Sequence, residues 1–163
     1  MKLYLAYLLT WIHVLLIVVW LGVDLAVFSL SMGSIDRRQS MAVRMDRART
    51  AQRFDNWVLK VFLLTTPLGL ILVWIRGWEL FATPWLSLKV ALMGLIFLIA
   101  VLLVAGAAGT TTLLERISKD PAGSEALEAQ LRRRVIRLAY PVWLLYSIIA
   151  VMIFIALSKE LFY

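Results

Sequence analysis

Four apolar runs organise the chain: Leu3 to Ser31, Trp57 to Ile75, Trp85 to Ala108 and Leu138 to Leu157. A helix of about 20 residues crosses a hydrocarbon core of ~30 Å, and each run meets that length. Backbone groups in lipid must be satisfied within their own segment, so each run is expected to be helical. The pattern predicts an all-α, four-transmembrane-helix bundle, one integral membrane domain over residues 1–163. Its expected spans are about 3–31, 57–75, 85–108 and 138–157. The first run is too long for the 7–15-residue core of a signal peptide and carries His13 and Asp24, so it is read as a span.

The polar segments between the runs are uneven. Residues 33–56 form an arginine-rich link, residues 76–84 a short turn with Gly77, Thr83 and Pro84, and residues 109–137 a longer link. In the last of these, KDPAG reads as a break and SEALEAQLRRRVIRLAY as an amphipathic helix running into the fourth span. Ser124 is its expected N-cap, with Glu125 and Glu128 where the helix dipole favours acids.

Charge then orients the chain. The first long link holds Arg37, Arg38, Arg44, Arg47, Arg49 and Arg53, and the second holds Arg116, Lys119, Arg132, Arg133, Arg134 and Arg137. The opposite side has only Lys2, Arg76 and Lys159. Cytoplasmic loops carry the excess of Lys and Arg, so the expected topology is N-out and C-out, with both long links cytoplasmic. Trp11, Trp57, Trp78, Trp85, Trp143 and Tyr140 fall near span ends, as an aromatic belt requires. The formal net charge of +7 lies mostly in these links, so it reads as membrane orientation and contact with anionic lipid. Nucleic acid is excluded as a partner on that ground. The expected location is the inner (plasma) membrane of a bacterium.

Composition narrows the chemistry. With no cysteine, the chain holds no disulfide, iron–sulfur cluster, thiolate zinc site or covalently attached haem. The six methionines form no cluster of copper ligands. There is a single histidine, His13, so two imidazole ligands would require two copies of the chain.

Ionisable groups within spans are costly and mark functional candidates. Three stand out: His13 and Asp24 in the first span and Lys89 in the third. Thr10, His13, Ile17, Trp20 and Asp24 share one helix face, with His13 and Asp24 separated by roughly 16 Å along it. That stripe is expected to look into the bundle, and Gly22, on the other side, to pack closely against another helix. Counting residues from the span starts puts His13 and Lys89 in the same leaflet, with Asp24 nearer the arginine-rich side. A neutral imidazole ligates metals and haem iron, and a buried lysine is favoured in the neutral form that can also do so. The alternative for His13 is a hydrogen bond across helices. Lys89 divides between a site role and snorkelling to the interface. Asp24 is expected to be satisfied by Ser29, Ser31 or the arginine-rich link, and Lys60 to snorkel. Thr65, Thr66, Pro67 and Gly69 read as a kink device in the second span.

Four stretches resemble the HemJ-type and CopD-like family of four- to five-helix membrane proteins. They are WIHVLLIVVWLG, TTPLGLILVWIRGW, PWLSLKVALMGLIFL and YPVWLLYSIIAVMIFIALSK. The resemblance implies one b-type haem bound by His13 and Lys89, with Trp20 beside it, and a redox or electron-transfer role with a quinone or another redox partner. The HemJ pattern is only partly present. Leu-Pro-Arg and a second His are missing from the first span, His-Gly from the third, and Ala139–Tyr140 replaces the acidic residue before the last Pro. The chain looks closer to the family's uncharacterised members than to its protoporphyrinogen oxidases. A haem-b-binding membrane protein is therefore the leading expectation, as an oxidoreductase or an electron carrier. A non-catalytic subunit of a membrane complex, or a homodimer, is the alternative.

Overall fold

The computed structural model describes residues 2–120 and 123–158. Pro121 and Ala122 of the expected break, and Lys159 at the end of the last span, lie outside them. The described chain folds into five helices: α1 (Lys2–Ser34), α2 (Met41–Ile75), α3 (Pro84–Ala107), α4 (Thr110–Lys119) and α5 (Ser124–Leu157). Helices α1, α2, α3 and α5 are long and apolar enough to cross a membrane, α3 running on towards α4. The all-α four-helix bundle is thus the architecture, and α4 is a short amphipathic helix at the arginine-rich end.

The helices begin where local chemistry favours it. Ser40 caps α2, its hydroxyl accepting from the Val43 N–H. Pro84 opens α3, where its missing N–H costs nothing and its fixed φ already suits a helix. Between α3 and α4 the chain turns at Gly109, whose φ of 84° belongs to the left-handed region. Helix α5 starts at Ser124, so the cap position falls on Gly123 rather than on Ser124 as expected.

One expected boundary moves. Residues 41–56, read as a link, are the first four turns of α2. Ala48 there is buried beside Leu113, Leu114 and Ile117 of α4, Ala51 is buried too, and that packing extends the helix beyond its apolar run. As expected, Ser124 to Arg137 forms one continuous helix with the fourth span.

Helices α1 and α2 pack along most of their lengths, as do α3 and α5, while α4 sits against α2 and α5. Three apolar layers stack through the bundle. The central layer is Trp20, Phe62, Ile96, Ile99, Leu145, Ile148 and Ile149, drawn from all four spans. Below it, at the arginine-rich end, Leu113, Leu114, Ile117, Leu131 and Val135 form a second core. Trp85, Leu86 and Ile155 close the other end. Trp85 belongs to that core, edge-on to Trp78 at 5.1 Å, rather than to an aromatic belt. Trp11, Trp57, Trp143 and Tyr140 are exposed, as a belt requires.

Most of each span's apolar surface faces outward. Only 6% of the α1 span is buried within the chain. In water such a helix would detach or aggregate; lipid removes the cost. The molecule is an integral membrane protein.

Gly22 corrects an expectation. Nothing lies within 4 Å of where its Cβ would be, so it packs against no helix of this chain. Helix α1 leans on α2 by the opposite side, and that leaves Gly22 outward.

The arginine-rich end is tied together by ion pairs. Arg44 is 4% exposed and donates to both carboxylate oxygens of Glu128, at 2.6 and 2.7 Å. Its Nε donates to the Ser34 carbonyl at 2.8 Å. One guanidinium thus joins the end of α1, the start of α2 and the start of α5. Its bonds, more than its charge, hold the Glu128 carboxyl below the usual carboxylate range, against the opposing effect of burial. Arg37–Glu125 and Arg49–Glu115 are exposed pairs and contribute little.

Candidate functional site

The stripe predicted on α1 faces the bundle: Trp20 is buried, and Thr10, His13, Ile17 and Asp24 are half-buried. Its members serve three separate places along the helix.

Near the sparsely charged end, Thr10 donates to the Ala6 carbonyl at 2.7 Å and accepts from Arg76 at 3.2 Å. The Arg76 guanidinium lies 5.1 Å from the Trp78 ring and 5.9 Å from the Tyr7 ring, a stacking geometry that suits a weakly hydrated cation. Arg76 therefore ties the α2–α3 turn to α1, a role that its position in a short turn did not announce.

His13 comes next. Its imidazole lies against Gly69 of α2; a Cβ there would come within 3.2 Å of Cε1. The ring also faces the backbone of Thr65, one turn earlier on the same helix. Thr65 is itself buried, its hydroxyl turned back to the Val61 carbonyl at 2.8 Å. Thr66 bonds the Phe62 carbonyl in the same way at 3.3 Å. The Thr-Thr-Pro-x-Gly sequence thus does two things. Its hydroxyls serve backbone carbonyls around the proline, and its glycine opens the notch that receives the imidazole. One ring nitrogen, Nδ1, is buried and has no hydrogen-bond partner. Lys89 of α3 lies within electrostatic range of the ring. The Lys89 ammonium also lies over the Trp85 ring, 5.9 Å from its centroid.

Trp20 lies two turns deeper, packed against Phe62 at a centroid distance of 5.3 Å. Its indole N–H is buried and unpartnered too. It does not share the His13 level; it forms one wall of a cavity of about 40 Å³. Asp24 of α1 and Asp55 of α2 line the same cavity, with Phe62 and Leu145 among its apolar walls. That volume suits a water molecule and is far too small for a macrocycle.

The partner of Asp24 differs from expectation. Tyr146 of α5 donates to Asp24 Oδ2 at 2.7 Å, in place of Ser29, Ser31 or an arginine. Ser29 is exposed, whereas Tyr146 stands across the bundle on the face that Asp24 presents. Asp55 was missed. It ends a polar link in the sequence and is placed beside Asp24 only by the helical continuation of α2. Lys60 is exposed at the mouth of the second span, 5.6 Å from the Trp57 ring centroid.

Among the described residues, no group of three or more His, Cys, Asp and Glu side chains is placed to hold a metal ion. A single-nitrogen axial ligand is a different donor set. His13 leaves one ring nitrogen, Nδ1, buried and without a hydrogen-bond partner. Fold and site together define a four-span integral membrane protein with one intramembrane imidazole. No protein-family model matches the chain, and no curated protein or solved structure matches it either.

Proposed function

We propose that the chain is a haem-b-binding membrane protein with a redox role, and that His13 would supply a nitrogen to the haem iron. The observation that carries this reading is the buried, unpartnered Nδ1 of the only histidine, on a ring seated against Gly69. An imidazole serving only structure would use both nitrogens or expose one to water, because an unmade buried bond costs ~1–3 kcal/mol.

When bound, the haem supplies a one-electron couple at its iron. The residues of the chain do the rest. Gly69 seats the imidazole, and Lys89 brings a second nitrogen within electrostatic range of it, either as a neutral ligand or as a countercharge. Apolar side chains around the imidazole keep water from Nδ1. A quinone or a redox protein in the same membrane is the electron partner this reading calls for. Optical spectroscopy of the purified protein, with and without added haem, tests it.

The second reading is a non-catalytic subunit of a membrane complex, or a homodimer. It is favoured by the outward setting of Gly22 on a helix that packs mainly against α2. Co-purification of a stoichiometric partner from mild detergent would support it.

A further inference from the structure

Helix α5 divides its charges between two faces. Glu128 turns inward to Arg44, and Glu125 reaches Arg37. The other face carries Ala126, Ala129, Arg133 and Arg137 at spacings of three and four, which places them in one stripe. Arg134 and Leu138 border that stripe and bring it against Gly106 at the end of α3.

Here the two helices leave an open cleft of about 780 Å³. Its small floor comes from alanines, and its charged rim from three arginines. Among the described residues, no carboxylate lines it. Among the described residues, none of these three arginines has an acidic side chain within ion-pair distance. Arg134 is held in place, its Nε donating to the Gly106 carbonyl at 2.7 Å. The Leu138 side chain lies directly over Gly106, so a side chain added there would push it aside. Arg133 and Arg137 are exposed.

The level of the cleft identifies its occupant. Gly106 is near the last residue of the third span and Leu138 is the first of the fourth, so the cleft lies where hydrocarbon gives way to headgroups. A ligand there meets guanidinium forks on one side and apolar side chains on the other. Guanidinium recognises phosphate oxygens in paired hydrogen bonds. Basic pockets between spanning helices suit anionic lipid headgroups.

We propose that the cleft between α3 and α5 is a binding site for the phosphate headgroup of an anionic phospholipid, gripped by Arg133, Arg134 and Arg137, with its acyl chains descending along Leu138. The lipid fixes the end of α3 against α5 and anchors this end of the bundle in the membrane.

The test uses the full chain in mixed micelles of phosphatidylcholine and phosphatidylglycerol. Native mass spectrometry counts the phosphatidylglycerol retained per chain. Each arginine near a charged surface contributes about fivefold in affinity, so Arg133→Gln/Arg137→Gln is expected to weaken retention by ~25-fold. The control Arg116→Gln/Arg132→Gln removes the same charge outside the cleft and is expected to change it less than about threefold. Ala129→Leu keeps every charge and fills the floor; it too should lower retention, and it serves if the double variant does not fold. Millimolar inorganic phosphate should leave the lipid in place. Equal losses in the two double variants would overturn the proposal in favour of diffuse attraction. Displacement by inorganic phosphate would overturn it in favour of a soluble anion.

Discussion

Removing one partner of the Arg44–Glu128 pair should be among the most damaging single changes in the protein. Glu128→Gln keeps the shape of the side chain and removes its charge. It leaves the Arg44 guanidinium, 4% exposed, with the Ser34 carbonyl and one amide oxygen as its acceptors. Breaking a buried pair in this way costs about 3–5 kcal/mol, because the surviving charge stays in a poor solvent. Arg44→Met should cost a similar amount and also strand the Ser34 carbonyl, for roughly 1 kcal/mol more. Replacing both, as Arg44→Met/Glu128→Leu, removes both buried charges together. That variant should lie within about 2 kcal/mol of the wild type. The assay is unfolding in mixed micelles by sodium dodecyl sulfate titration, followed by helical circular dichroism. The double-mutant cycle isolates the coupling. A loss below ~1 kcal/mol in Glu128→Gln, or single effects that simply add in the double variant, would refute the reasoning.

Three further outcomes follow from the geometry. The folded-state pKa of Glu128 lies below its unfolded value, so its contribution is complete above the unfolded pKa, near 4.3, and is lost as pH falls through the folded value. Stability should therefore drop on acidification below about pH 4.5 in the wild type. The drop should be shallower in Glu128→Gln; parallel profiles would contradict this. Tyr146→Phe removes the 2.7 Å donor from Asp24 and should cost ~1.5–3 kcal/mol in the same titration, with much of the loss recovered in Tyr146→Phe/Asp24→Asn. Gly69→Val places a side chain where Cβ alone would come within 3.2 Å of the imidazole, so it should displace His13 and weaken any haem signal at least tenfold while the chain still inserts. A signal of wild-type strength in that variant would sink the notch argument.

The four spans were legible because lipid imposes a simple demand: about 20 apolar residues and a satisfied backbone. The stripe from Thr10 to Asp24 was legible because helical periodicity places residues on faces without reference to any partner. The proximity of His13 and Lys89 followed from counting rise per residue. What escaped was long-range pairing. Tyr146 is 122 residues from Asp24, and Glu128 is 84 from Arg44. Arg44 is one of six arginines in its segment, and only the packing of α2 against α4 and α5 singles it out. Gly22 was misplaced for the same reason, since a face can be read from sequence but the choice of which face is covered cannot. Asp55 could have been found. The stretch after Ser40 contains no proline or glycine before Pro67, which signals one continuous helix through the supposed link.

The account turns on His13. Its most direct test is the absorption spectrum, oxidised and dithionite-reduced, of the detergent-purified protein after haem supplementation, beside His13→Ala and Lys89→Ala. The account predicts a Soret band in the wild type that is lost in His13→Ala and shifted or weakened in Lys89→Ala. A wild type that stays colourless, or a band unchanged in His13→Ala, would contradict it.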